Sequence, residues 1–169
     1  MIQIIRKAKK EDIHDIMEIV NKVISEMNSY GNYQWDENYP REKDFLDDIE
    51  KEDLFICERN DIIAGFISIN KCETPEYGNL NWSLNTDCLV LHRMAVNPDL
   101  RRTGIATELM DFAEEFAIKQ GIKHLKTDTN SLNDKMKNLF KKLHYAFIGE
   151  VYFKGTNEPF ICYEKVLSE

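Results

Sequence analysis

The sequence predicts an α/β fold of the α+β kind, a mixed central sheet of about six to seven strands flanked by about four helices. Three observations predict it. Short apolar runs alternate with amphipathic segments along the chain. Leu54–Arg59 and Ile62–Ile69 are two strand-like runs joined by the turn pair Asn60-Asp61, which makes an antiparallel hairpin. Cys88–Val96, an amphipathic stretch and Ile122–Thr129 then follow as strand, helix and strand, and a crossover of that length implies a parallel, right-handed pair. With 169 residues, the expectation is one domain spanning 1–169.

Each element has its own signal. Ile2–Arg6 reads as a first strand, and Asp12 is a cap candidate for the helix marked by Ile13, Ile16, Met17, Val20, Val23, Ile24 and Met27. Residues 28–40 form a loop rich in aromatics, among them Tyr30, Tyr33, Trp35 and Tyr39. Glu42–Lys51 is a short second helix with Phe45, Leu46 and Ile49 facing in. Gly65 inside the second hairpin strand signals a bulge or a close backbone approach. Lys71–Asp87, with Pro75, Gly78 and Trp82, reads as a loop carrying the acids Glu73, Glu76 and Asp87. Asn97-Pro98 ends the central strand, because proline has no N–H for a ladder. Ile105, Leu109, Phe112, Ala113, Phe116 and Ala117 recur at helical spacing, and Gly121 stops that helix. Asn130–Asn133 caps a last helix with the stripe Met136, Leu139, Phe140 and Leu143. Phe147–Phe153 and Phe160–Val166 close the chain as a hairpin through Gly155 and Pro159.

Composition narrows the function. The formal net charge of -8 leaves no basic excess to neutralise a phosphate backbone, so nucleic acid is not the expected partner. Cys57, Cys72, Cys88 and Cys162 are far apart, with no Cys-x-x-Cys, so no metal site is expected. No apolar run reaches membrane-spanning length, and no N-terminal signal region is visible, which makes a membrane partner unexpected and a cytoplasmic location the expectation.

Against this acidic background Arg101-Arg102-Thr103-Gly104-Ile105-Ala106 stands at a strand-to-helix junction. A helix N-terminus presents unpaired N–H groups and partial positive charge. Gly104 has no side chain to block a close approach, Ala106 is nearly as small, and two arginines add charge. The physical reading is a phosphate cradle. A Walker loop would need Gly-Lys-Ser/Thr, and a Rossmann turn three glycines; neither is present.

The junction resembles instead the Arg/Gln-x-x-Gly-x-Gly/Ala signature of the GNAT superfamily of acyl-CoA-dependent N-acyltransferases, with Arg101, Gly104 and Ala106 on the defining positions. Leu91–Pro98 before it, the opening IRKAKKEDIHDI, and the strand IIAGFI are similar to family segments. NDKMKNLFKKLHYAFIGE resembles the family's Asn…Leu-Tyr-x-Lys-Leu-Gly-Phe stretch. The resemblance implies acetyl-CoA as co-substrate, with its pyrophosphate at Arg101, Arg102, Thr103, Gly104, Ile105, Ala106 and Thr107. It implies amide donors to the thioester oxygen from Met94, Ala95 and Val96, and further cofactor contacts at Asn133 and Phe140. The first inter-helix loop, with Trp35 and Tyr39, is implied in the acceptor site.

The implied reaction is acetyl transfer to a primary amine of a small molecule or peptide by a monomer or homodimer. A coenzyme-A-binding sensor without turnover is the alternative. Phe140 motivates it, because many members carry there a tyrosine often proposed to protonate the leaving thiolate. His92 shares a strand face with Met94 and has a side chain suited to base work near neutral pH, or it packs as an ordinary histidine. Glu73, Glu76 or water are other proton acceptors, and Cys88 has no visible partner base for a covalent route.

Overall fold

The computed structural model describes residues 3–168, so Ile2 of the expected first strand lies outside the described residues. The elements, in chain order, are β1 (Gln3–Lys7), α1 (Ile13–Ser29), α2 (Glu42–Glu50), β2 (Leu54–Arg59), β3 (Ile62–Asn70), β4 (Cys88–Val96), α3 (Ile105–Lys119), β5 (His124–Asn130), α4 (Asp134–Lys142), β6 (Ala146–Val151) and β7 (Phe160–Val166). Among the described residues this gives a mixed sheet of seven strands in the order β1-β2-β3-β4-β5-β7-β6, flanked by four α-helices. Among the described residues no helix is long and apolar enough to cross a membrane.

The chain groups into two compact units. The first comprises the described part of Met1–Ile69 together with Arg93–Phe112. Its core joins Ile16, Ile19, Val20, Val23 and Met27 of α1 to Phe45, Leu54, Ile56, Ile63, Phe66 and Ala95. The α1 residues recur every three or four positions, so one stripe of the helix removes most of its apolar area from water. β1, β2 and β3 pair antiparallel. Asn60 and Asp61 at the β2–β3 turn both adopt left-handed φ (49° and 63°), as a two-residue hairpin of this twist requires. Pairing shifts at Cys57 and Glu58, which face Gly65 and Ile63, so a bulge lies beside Gly65. A Cβ at Gly65 would stand 2.8 Å from the Ala95 carbonyl oxygen and 3.1 Å from Ile105 Cγ2, so β4 and α3 approach the bare backbone there. Both meanings of the strand glycine hold at once.

The second unit comprises Asn70–His92 and Ala113–Glu169, described as far as residue 168. β4 and β5 pair in parallel from Cys88↔His124 to Leu91↔Thr127, as the crossover argument predicts. β5 begins at His124 rather than Ile122, since Gly121 turns the chain at φ 71° before the strand can start. The last strand, β7, inserts between β5 and β6, so the closing hairpin meets β5 through its second arm. Tyr77, Cys88, Val90, Val151, Phe160 and Cys162 form the core of one sheet face, covered by Leu80, Trp82 and Phe153. The segment read as a loop before β4 contains a short 3-10 turn, Pro75–Asn79, capped by Thr74, whose side chain accepts from the Glu76 amide.

Gly65→Ala is expected to cost about 1–3 kcal/mol through overpacking, with the Ala95 carbonyl unable to yield as a side chain would. Thermal denaturation should register this as a fall of about 2–4 °C per kcal/mol.

Candidate functional site

The junction between β4 and α3 is built from backbone first. After β4, Asn97 caps a 3-10 turn at Pro98–Leu100 through its side chain, which accepts from the Asp99 amide. Arg102 and Gly104 then take left-handed φ, 62° and 83°, on either side of Thr103. For glycine this conformation is free of Cβ strain; for Arg102 it is a local cost that the surrounding turn imposes. Arg102, Thr103 and Gly104 are exposed, and a Cβ at Gly104 would meet nothing within 4 Å. α3 starts immediately afterwards, with the Glu108 amide donating to the Gly104 carbonyl at 3.0 Å. The first amides of a helix have no acceptor within it, so those of Ile105, Ala106 and Thr107 are not paired inside α3. Ile105 itself is 1% exposed, and its side chain anchors the helix start in the core.

The two arginines diverge. Arg101 is half-buried and ion-paired with Glu26 of α1, so its guanidinium ties the turn to α1. Arg102 remains at the exposed surface. A third arginine, not singled out by the sequence, braces the same turn. Arg59, at the end of β2, donates through Nη2 to the Thr103 carbonyl at 3.1 Å and to both Glu108 carboxylate oxygens at 2.9 Å. Only its place at a strand end, before a turn, could have drawn attention to it.

Met94, Ala95 and Val96 lie on the outgoing half of β4. Just before them Arg93 has φ 41°, a left-handed residue inside a strand. Its side chain donates to both Asp48 oxygens at 2.7 Å, from Nε and Nη2, and from Nη1 to the Tyr39 hydroxyl at 3.0 Å. Burial works against the Arg93 charge, but the hydrogen bonds and charges of Asp48 and Tyr39 together outweigh it and hold the guanidinium pKa above its usual value. Tyr39, expected in the acceptor site, is 42% exposed and fixed to this pair. Trp35, expected beside it, is 5% exposed and packs in the core with residues of α1.

In the second unit, His92 is half-buried, with Nε2 against Asn70 Oδ1 at 2.9 Å. Asn70 supplies the acceptor, which makes Nε2 the protonated nitrogen in this contact. Asn133 is the cap of α4, its side chain accepting from the Met136 amide at 3.2 Å. Phe140 is 2% exposed, stacked among Tyr145 and Tyr163 with ring centroids 5.8 and 5.1 Å away. A ring so enclosed serves packing. Tyr145 packs in the same cluster. Of the loop acids, Glu73 pairs with Lys126, Glu76 accepts from the Thr74 hydroxyl, and Asp87 lies 3.6 Å from Lys71. Asp128, which the sequence reading passed over, accepts the Tyr77 hydroxyl at 2.5 Å. Its signal was a carboxylate in a strand-like run, Leu125–Thr129.

Known proteins resemble this chain over most of its length. The family profile described as Acetyltransferase (GNAT) family matches residues 13–145. An uncharacterised N-acetyltransferase of Methanocaldococcus jannaschii is 28% identical over 119 residues, which is 69% of this chain and 49% of that protein, so the chain spans about half the length of this curated relative. A GNAT-family acetyltransferase structure from Streptococcus agalactiae superposes with a TM-score of 0.87 at 22% identity, covering 99% of this chain and 96% of that one. A Salmonella typhimurium protein assigned as an acetyltransferase, solved with its cofactor acetyl-CoA, gives a TM-score of 0.71 at 16% identity over 99% and 95% of the two chains.

Arg93→Ala is expected to cost about 3–5 kcal/mol, since it leaves the Asp48 carboxylate buried without its partner. Replacing both residues with apolar ones, Arg93→Met with Asp48→Leu, should cost less than the single change when both are measured by urea denaturation.

Proposed function

Because this chain belongs to the acetyltransferase (GNAT) family, we propose that it moves an acetyl group from acetyl-CoA to a primary amine by direct transfer in a ternary complex. The observation that carries this reading is the turn before α3. Two left-handed residues, an exposed Gly104 with open space beside it, and a helix start stand together there, an arrangement that suits a diphosphate.

Within this reading the residues divide the work. Amides from Arg102 to Thr107 hold the pyrophosphate, and Arg102 contributes the nearest surface charge. Arg101 and Arg59 act on the turn's shape, because Glu26 and Glu108 already engage their guanidinium groups. Backbone donors in Met94–Val96 meet the charge that grows on the thioester oxygen. When bound, acetyl-CoA supplies an activated acyl group on a good leaving thiolate. Phe140 has no hydroxyl and is enclosed, so the thiolate takes its proton from the attacking nitrogen. The acceptor is a small-molecule or peptide amine.

The enclosed phenylalanine also favours a second reading, a coenzyme-A-binding sensor that does not turn over. Free-thiol release from acetyl-CoA with spermidine, glycine, kanamycin and an Ala-initiated tripeptide separates the two: release with any of them supports transfer, and binding with no release supports the sensor. Gly104→Val should abolish acetyl-CoA binding in calorimetry, since a β-branched residue strains a backbone at φ 83° and adds bulk where the pyrophosphate is proposed to sit. Circular dichroism should show the fold retained. Unchanged affinity would refute the cradle.

A further inference from the structure

The inference here rests on the acetyl-transfer reading and concerns the step it leaves unassigned, removal of a proton from the amine. The parallel ladder between β4 and β5 ends at Leu91↔Thr127. The Thr127 hydroxyl closes it by donating to the Leu91 carbonyl at 3.1 Å. At the next position on each strand stand His92 and Asp128, on the face that Val90 and Lys126 share. Two titratable side chains thus stand one step beyond the last paired position of the parallel strands, on the side toward their carboxyl ends, the direction in which open α/β sheets take their ligands.

The two are not equivalent. His92 is held through Nε2 by Asn70. Asp128 is half-buried and accepts the Tyr77 hydroxyl at 2.5 Å. Tyr77 is 1% exposed, its ring lies 5.1 Å from that of Trp82, and burial followed by the Asp128 charge pushes its own pKa upward. It therefore remains a fixed donor. Lys126, two residues earlier on the same face, pairs with Glu73 instead of Asp128. On the adjoining strand Cys162 stands in register with Asp128, and burial, then the Asp128 charge, push that thiol up to about 12, so it stays neutral.

We propose that Asp128 accepts the proton of the attacking amine and that Tyr77 is the positioning residue that orients its carboxylate. Burial raises the Asp128 carboxyl to about 6 while the Tyr77 hydrogen bond lowers it, a balance that leaves a base usable near neutral pH. The ammonium N–H bond breaks toward the carboxylate and leaves its electron pair on nitrogen. That pair forms the C–N bond at the thioester carbon, and the carbonyl π electrons move to oxygen. When the carbonyl re-forms, the C–S bond breaks and sulfur leaves with its pair. The second nitrogen proton passes to the thiolate, and Asp128 returns its proton to solvent.

The test uses the full chain with the most active amine of the spermidine, glycine, kanamycin and tripeptide panel. Asp128→Asn should lower turnover by about 100-fold or more while calorimetric affinity for acetyl-CoA is unchanged. The wild-type acid limb, with its midpoint near 6, should vanish in Asp128→Asn and persist in His92→Ala. Tyr77→Phe should move that limb to higher pH, because the hydrogen bond it removes lowers the carboxyl pKa. Independently of any acceptor, carbon-13 carboxyl NMR should show Asp128 titrating near 6, and higher in Tyr77→Phe. Wild-type turnover in Asp128→Asn, or an Asp128 resonance titrating in the ordinary carboxylate range, overturns the proposal. If the asparagine variant does not fold, the Tyr77→Phe limb and the NMR titration decide. Failure of the wild type to bind acetyl-CoA sinks the transfer reading instead, so the two failures are distinct.

Discussion

The ion pair between Arg93 and Asp48 is the constraint on which the outgoing half of β4 depends. A left-handed arginine inside a strand is unfavourable, and it persists only where its surroundings over-determine it. Two charge-assisted bonds at 2.7 Å, in a setting with little water, supply that determination. One side chain thereby sets the direction of β4 as it leaves Arg93, and with it the aim of the amides in Met94–Val96. The same guanidinium reaches Tyr39, so the first inter-helix loop takes its position from the strand that would hold the thioester. A buried pair of this kind is weak evidence for stability and better evidence that a geometry is being enforced.

The second unit shows a different use of burial. Asp128 and Tyr77 share a hydrogen bond in a setting where a free carboxylate is costly, and that setting makes the acid a reagent. A few residues away on the same sheet face, Glu164 is engaged by Ser83 and His124, and its carboxyl is held below the ordinary value by those hydrogen bonds despite the opposing effect of burial. The two carboxylates thus diverge because one receives a single hydroxyl and the other several donors.

How much of this was legible in the residues follows from the range over which each signal acts. The β2–β3 hairpin, the β4–α3–β5 crossover and the α4 cap rest on neighbours a few positions apart, and their signals were readable. The turn before α3 was readable for the same reason, since Arg101, Gly104 and Ala106 fall within one short window. What was not readable depends on contacts distant in sequence. Trp35 looks like any loop aromatic until α1 and β3 are seen to enclose it. Arg101 looks free until Glu26 arrives from α1, and Asp128 looks like a solvated strand acid until Tyr77 meets it. The insertion of β7 beside β5 is likewise a choice of partner that alternation alone leaves open.

The bracing of the turn by Arg59 and Arg101 bears on how an anionic ligand would arrive. Each guanidinium already faces a carboxylate, Glu108 and Glu26 respectively, so much of the local positive field is cancelled before any encounter. Attraction then comes chiefly from amide dipoles, which act over a few ångströms, and long-range steering toward the turn is slight on a chain of net charge -8. Such a mouth is pre-shaped rather than magnetic: capture is slow to respond to added salt, and discrimination rests on fit at contact.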